Sequence, residues 1–226
     1  MGTHYYFIMR LKAVIFMFCL TAFGVALYFF VSGPKSTDPI EYSAKHSDSD
    51  NGKYIYLAAG CSSCHVAEGS ENKYLLAGGQ KFETAFGIFR APNISNSIEF
   101  GIGSWEFKDF YNALKLGQDP DGQHYFPAFP YTAYNKMKDQ DIIDLWTFWK
   151  TLPSSETPNV DHNLPFLFGF RRNIGVWKSL YMSDEFVNKD QDRATYLVEA
   201  LAHCTECHTP RNFIGALENA KWFEGA

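Results

Sequence analysis

The sequence predicts a mostly α-helical protein: an N-terminal transmembrane helix, then two small helical domains in tandem, the second incomplete. Three observations carry this. Residues 13–31 form an apolar run without a charge. The pentapeptide Cys61-Ser62-Ser63-Cys64-His65 returns as Cys204-Thr205-Glu206-Cys207-His208, so one kind of unit occurs twice. Apolar residues also recur at helical spacing, with Ile142, Trp146 and Trp149 at i, i+4 and i+7. Composition alone would produce C-x-x-C-H roughly 0.003 times in such a chain, so two copies are no accident.

Taken in order, residues 1–31 form the anchor. As a helix, the run 13–31 covers roughly 28 Å, close to the hydrocarbon thickness of a bilayer. Arg10 and Lys12 precede it, which places the N-terminus in the cytoplasm and the remainder outside. The alternative is a cleaved signal sequence, whose apolar core is usually shorter and ends in small residues. Here the run closes on Ser32-Gly33-Pro34. Cys19 lies inside the run and reads as a small hydrophobe. Residues 32–49 are polar and without apolar period, as expected of a flexible tether.

Residues 50–155 read as the first domain. Asp50 is placed to cap a helix over 51–60 that delivers Cys61. C-x-x-C-H is the attachment signature of a c-type haem. Two thiols three positions apart reach the vinyl groups on one edge of a porphyrin. The following histidine is held under the iron, for which neutral imidazole is a good ligand. A thioredoxin-like redox pair would want a βαβ pattern around it, and a zinc site would leave both histidines unexplained. Residues 66–103 are glycine-rich and read as loops. So long an irregular stretch needs a core to pack against, and a haem supplies one. Ser104 is expected to cap a helix to Leu116, with Gly117 at its C′ position. Residues 126–131, with Pro127 and Pro130, read as extended. The last helix of the domain runs from Asp139 to about Leu152.

A haem with one histidine has a sixth position to fill. Met137 is the only methionine between the first motif and Met182, and it stands just before the last helix. Thioether ligation there favours electron transfer and raises the potential. The competing ligand is His124, expected in an exposed turn, and Met137 as a plain core residue is the bland alternative. Residues 156–190 read as an interdomain linker. Its apolar stretch 163–170 ends in Arg171 and Arg172 and is read as clamped against the haem domains, over a membrane-dipping or partner-docking surface. Residues 191–226 read as the start of a second domain that looks cut off.

Several strings support a family likeness: Asn93-Ile94-Ser95, Gly101-Ile102-Gly103-Ser104-Trp105, Pro120-Asp121-Gly122, Tyr125-Phe126-Pro127-Ala128-Phe129-Pro130-Tyr131, Met137 and Cys207-His208-Thr209-Pro210-Arg211-Asn212. Over residues 50–226 the chain resembles the membrane-anchored dihaem cytochromes c, relatives of the cytochrome subunits of periplasmic alcohol and gluconate dehydrogenases. The resemblance implies tandem class I cytochrome c domains with His/Met ligation of each iron. His65 and Met137 would ligate the first, His208 the second. It also implies two covalent haems, at Cys61/Cys64 and at Cys204/Cys207. Pro92 and Asn93 would lie beside the first haem, the Pro92 carbonyl orienting His65. Arg211 would lie near a propionate of the second haem.

The expected function is electron transfer at the periplasmic face of the inner membrane, not catalysis. The donor would be a dehydrogenase subunit or quinol, the acceptor an oxidase or soluble cytochrome. The competing reading is a haem enzyme, of dihaem peroxidase or sulfur-compound-oxidising type, with an open iron on the second haem. The net charge of −5 offers no basic stripe for nucleic acid.

Overall fold

The computed structural model of the chain describes residues 2–35, 42–190 and 192–225. It is mostly helical. Helix α1 (Gly2–Val31) starts well before the apolar run, and its segment Ile8–Val31 is long and apolar enough to cross a membrane. Over residues 8–30 its side chains stand exposed, and the helix meets the rest of the protein at its C-terminal end. There the Tyr28 hydroxyl donates to Asn173 Oδ1 at 2.8 Å and Arg172 Nη2 donates to the Phe29 carbonyl at 3.1 Å.

The first domain is organised by the crossing of α2 (Ser49–Ala58) on α6 (Asp139–Trp149). The helices approach so closely that a Cβ at Gly52 would fall 2.0 Å from the Asp144 carbonyl oxygen, so only glycine fits. The buried Asp144 carboxylate ties the crossing together, accepting from Asp48 N at 2.9 Å, Asn51 Nδ2 at 2.7 Å and Gln140 Nε2 at 2.8 Å. Ile142, Trp146 and Trp149 form the expected buried stripe. Helix α4 (Phe107–Leu116) lays Phe110 against both tryptophans, at ring distances of 5.0 and 5.2 Å. Each large side chain removed from water there contributes about 1.5–3 kcal/mol. Short helices α3 (Cys61–His65) and α5 (Tyr131–Tyr134) complete the domain.

Several local expectations change. Asp48, not Asp50, caps α2, accepting from Asp50 N and Asn51 N, because the helix starts two residues earlier. Helix α4 starts at Phe107 behind Glu106, whose N–H donates to Asp109 Oδ2, instead of behind Ser104. Gly117 does close it, with φ 59. The stretch read as loops contains an antiparallel hairpin, β1 (Lys81–Thr84) and β2 (Gly87–Arg90). Residues 127–129 turn rather than extend, because Phe129 N donates back to the Phe126 carbonyl.

The linker contains a full helix, α7 (Arg171–Tyr181). A Cβ at its Gly175 would fall 2.5 Å from the Ser32 carbonyl oxygen, so α7 packs directly on the end of α1. Lys178 is buried and donates to the Leu116 and Gly117 carbonyls, both at 2.6 Å. Beyond it, α8 (Arg193–Thr195) continues as a π-helical segment, Tyr196–Leu201, before α9 (Thr205–His208).

Candidate functional site

Helix α2 ends at Ala58, and Gly60, with φ 66, turns the chain into the single turn of α3. That turn sets Cys61 and Cys64 one above the other, both free thiols. His65 follows, and its Nδ1 lies 2.8 Å from the Pro92 carbonyl oxygen. Pro92 is held there by a short ladder: Gly78 N donates to the His65 carbonyl at 2.7 Å, Gly79 N to Ala91 at 2.8 Å, and Ile94 N to Leu76 at 3.0 Å. A carbonyl can only accept, so Nδ1 carries the proton and Nε2 keeps a free lone pair. Burial, only partly offset by the Pro92 carbonyl, pulls the imidazole down to about 4, so it is neutral at physiological pH. Burial pushes the Cys61 thiol up to about 12, and raises Cys64 with a contribution from nearby Cys207.

Met137 sits between α5 and α6, 1% exposed, within the apolar cluster against which Cys61 packs. Its carbonyl accepts from Lys115 Nζ. Asn93 is buried, but its amide serves the backbone: Nδ2 donates to the Ser155 and Thr157 carbonyls, each at 2.8 Å, and Oδ1 accepts from Ser95 N at 3.0 Å. His124 is buried rather than exposed. Its Nε2 lies 3.0 Å from the Ser32 carbonyl oxygen and its Nδ1 3.2 Å from Lys178 Nζ. Both ring nitrogens are therefore engaged where α1 meets the domain.

The second motif docks on the first domain. Glu206 accepts from the Thr132 hydroxyl, and the Tyr196 hydroxyl accepts from Lys138 N at 3.1 Å while donating to Asp141. The His203 ring stands edge-on to Tyr134 at 5.6 Å, and Tyr134 donates to the Ala59 carbonyl at 2.6 Å. Residues far apart in sequence thus bring Cys207 within electrostatic reach of Cys64. Among the described residues, no cluster of three or more His, Cys, Asp or Glu is arranged to hold a metal ion by itself. Cys204 is half-buried and Cys207 exposed, and His208 stacks on Phe223 at 6.3 Å. The Arg211 guanidinium pairs with Glu206 and donates to the Gly215 carbonyl at 2.7 Å. This partner was invisible in the sequence.

The donor set of the first motif fits a covalent haem: two free thiols one turn apart, then a neutral imidazole with one nitrogen held and the other open. The Tyr131 hydroxyl is buried without a partner, with Glu206 of the second motif as a charge neighbour. Sequence reasoning assigned no individual role to Tyr131, Tyr134, Asp144, Tyr196 or Lys178. Tyr131 and the string Tyr196-Leu197-Val198-Glu199 counted only toward the family likeness, the signal for Tyr134 was the aromatic density of residues 125–134, and for Asp144 and Lys178 there was none in local pattern.

Comparison with known proteins agrees. The cytochrome c family model matches residues 49–153. A protein of Cereibacter sphaeroides named diheme cytochrome c-type is 38% identical over 87% of this chain and 69% of its own length. The fructose dehydrogenase cytochrome subunit of Gluconobacter japonicus is 36% identical over 84% of this chain and 40% of its own. The gluconate 2-dehydrogenase cytochrome c subunit of Pantoea cypripedii is 31% identical over 71% and 38%. The chain thus spans well under half the length of the two dehydrogenase subunits. With the first motif's geometry, these likenesses show that the chain belongs to the cytochrome c family.

Proposed function

We propose that the chain is a periplasmic, membrane-tethered dihaem cytochrome c that carries electrons for a dehydrogenase. The observation that carries this reading is the first motif's His65, its Nδ1 2.8 Å from the Pro92 carbonyl oxygen beside Cys61 and Cys64, with the second C-x-x-C-H segment docked on the same domain through Thr132, Lys138 and Asp141. Cys61 and Cys64 would hold one haem c and Cys204 and Cys207 the second, each sulfur joined as a thioether by addition across a vinyl group. Bound haem supplies a one-electron ferric/ferrous couple.

The protein's own residues do the rest. His65 would hold the iron of the first haem, kept in the right tautomer by Pro92. Met137 would supply a thioether to it from a dry site. Asn93 steadies the Pro92 segment by fastening it to residues 155–159. His208 would hold the iron at the second site, and Arg211 keeps Glu206 in place between the domains. Helix α1 is the anchor, crossing the inner membrane with its N-terminus in the cytoplasm. The relatives named as dehydrogenase cytochrome subunits support a dehydrogenase donor, with a quinol as the alternative. An oxidase or soluble cytochrome would be the acceptor.

The test is the intact mass of the chain from a host that matures c-type haems, followed by spectra of Met137→Ala. Two added haems are expected, with loss of the sulfur-to-iron charge-transfer band in the variant. One haem, or an unchanged spectrum, overturns the corresponding assignment. A second reading, an enzyme with open iron at the second site, draws on the exposure of Cys207. Carbon monoxide binding to the reduced protein at that haem would favour it.

A further inference from the structure

Residues 165–170 are not used by the electron-transfer reading, and they are unusual. Pro165 closes a tight turn, its carbonyl accepting from Phe168 N at 2.9 Å and Gly169 N at 3.2 Å. The turn presents Phe166, Phe168 and Phe170 to the outside at 79%, 48% and 48% exposure. Phe166 and Phe170 pack edge to face at 4.9 Å, so they form one apolar knob. Its position is set by the next residues, because the start of α7 is bolted to the last turn of α1. Asn173 takes the Tyr28 hydroxyl, and Arg172 reaches the Phe29 carbonyl, the Phe29 ring at 4.6 Å and the Ser32 hydroxyl at 3.0 Å. The knob is thus one short turn from residues tied to the end of the apolar span of α1, and Phe168 braces it against Phe86 of the first domain at 5.3 Å. Beside it lies a cavity of about 550 Å³ whose lining includes Ser32, Asp121, His124, Phe170, Arg171 and Arg172, with Arg171 Nη1 3.8 Å from Asp119 Oδ2. Aromatic rings next to guanidinium groups match the border between acyl chains and phosphate headgroups.

We infer that the 165–172 turn is a second membrane contact: the three phenylalanines enter the outer leaflet of the bilayer that α1 crosses, with phospholipid phosphates taken up by Arg171 and Arg172. This rests on the reading of α1 as a membrane span. Burying the exposed phenylalanine surface in hydrocarbon favours one docked orientation over free tumbling of the domain on a single tether. The contact fixes which side of the haem domains faces the membrane and which faces partners.

The test uses the full haem-loaded chain with Phe166 replaced by photoreactive p-benzoylphenylalanine, in vesicles of phosphatidylglycerol and phosphatidylethanolamine. After irradiation, adducts are identified by mass. The comparison carries the same probe at Ile98, which is 78% exposed on the 95–103 loop. Lipid adducts at position 166 about tenfold above those at 98 are expected, since one buried ring corresponds to at least a factor of ten in partition. A carbonate wash of a parallel sample separates the two readings. Chain that resists the wash but gives no lipid adduct at 166 overturns the inference and leaves α1 as an anchor. Chain released by the wash overturns both. Adducts to an added dehydrogenase subunit in place of lipid overturn the inference in favour of protein docking.

Discussion

The two C-x-x-C-H motifs share a sequence pattern but not a setting. The first opens from α2, which is locked on α6 through Gly52 and Asp144. It has its own carbonyl for His65 and an apolar cluster holding Met137. The second rides on a π-helical segment, and its contacts run outward to the first domain through Thr132, Lys138 and Asp141. Among the described residues its His208 ring meets Phe223, with no carbonyl set against it. The same five-residue signature therefore needs different supports: a core built around it in one case, a neighbouring domain in the other. It follows that damage at the first site should reach both, while damage at the second should stay local.

The strongest test removes each thiol pair in turn. Cys61→Ala with Cys64→Ala should abolish the first haem and lower the melting temperature by roughly 10 °C or more, since a group bound only by the folded state stabilises it. Cys204→Ala with Cys207→Ala should leave the first domain's melting within a few degrees. Equal falls in calorimetry would break the asymmetry.

Next in size is the comparison of Asn93 with Arg211. Asn93→Ala strands the buried Ser95 N–H and loses the bonds to the Ser155 and Thr157 carbonyls, at a cost of about 2–4 kcal/mol. Arg211→Ala takes the cation from a Glu206 side chain only 8% exposed, which keeps the Thr132 hydroxyl as a partner, at a cost of about 1–2 kcal/mol. Denaturant unfolding followed through the haem bands would report both. If Arg211 proved the costlier, the second motif would be carrying structure that the geometry does not assign to it.

Much of the first domain was legible in sequence. The C-x-x-C-H pattern constrains both the cofactor and the local helix, the Ile142/Trp146/Trp149 stripe declares a buried face, and Gly117 marks a helix end. What was not legible depends on tertiary partners. Helix α7 begins with two arginines, the wrong charge for a helix N-terminus, and contains a central glycine. Local propensity argues against it, and it forms because Gly175 lets it close on Ser32 and Lys178 satisfies two carbonyls of the first domain. The hairpin was hidden for a similar reason: its strands are four residues each, and Ile88 is further paired, through both N–H and carbonyl, with Asn163. His124 looked like a turn residue because its burial comes from α1 and α7, both remote in sequence.

A smaller effect should separate the docking contacts from the core. Tyr196→Phe loses a donor to Asp141 and an acceptor for Lys138 N, about 1 kcal/mol in all. Because these bonds hold the second motif to the first domain, amide exchange should quicken across 193–208 and stay slow in α2 and α6. Uniform quickening would mean the two halves open together.

The smallest predicted effect is a pH dependence at the junction with α1. Burial lowers the His124 pKa below its ordinary 6.5, with the Lys178 ammonium facing its Nδ1 and Arg172 nearby pushing the same way. The Ser32 carbonyl and Asp119 oppose this in part. The folded protein therefore refuses a proton that the unfolded chain accepts once pH falls below 6.5. Between that value and the lower folded pKa the unfolded state binds more protons, so the His124 contribution falls as pH falls and levels off above 6.5, while Lys178, pulled down by burial to about 7, adds a separate rise above that pH. A loss of about 1 kcal/mol or less between pH 7 and 5.5 is expected from His124. His124→Gln, which keeps a donor for Ser32, should flatten that part of the profile without changing the haem spectrum. A shifted spectrum would instead mean that His124 bears on the iron after all.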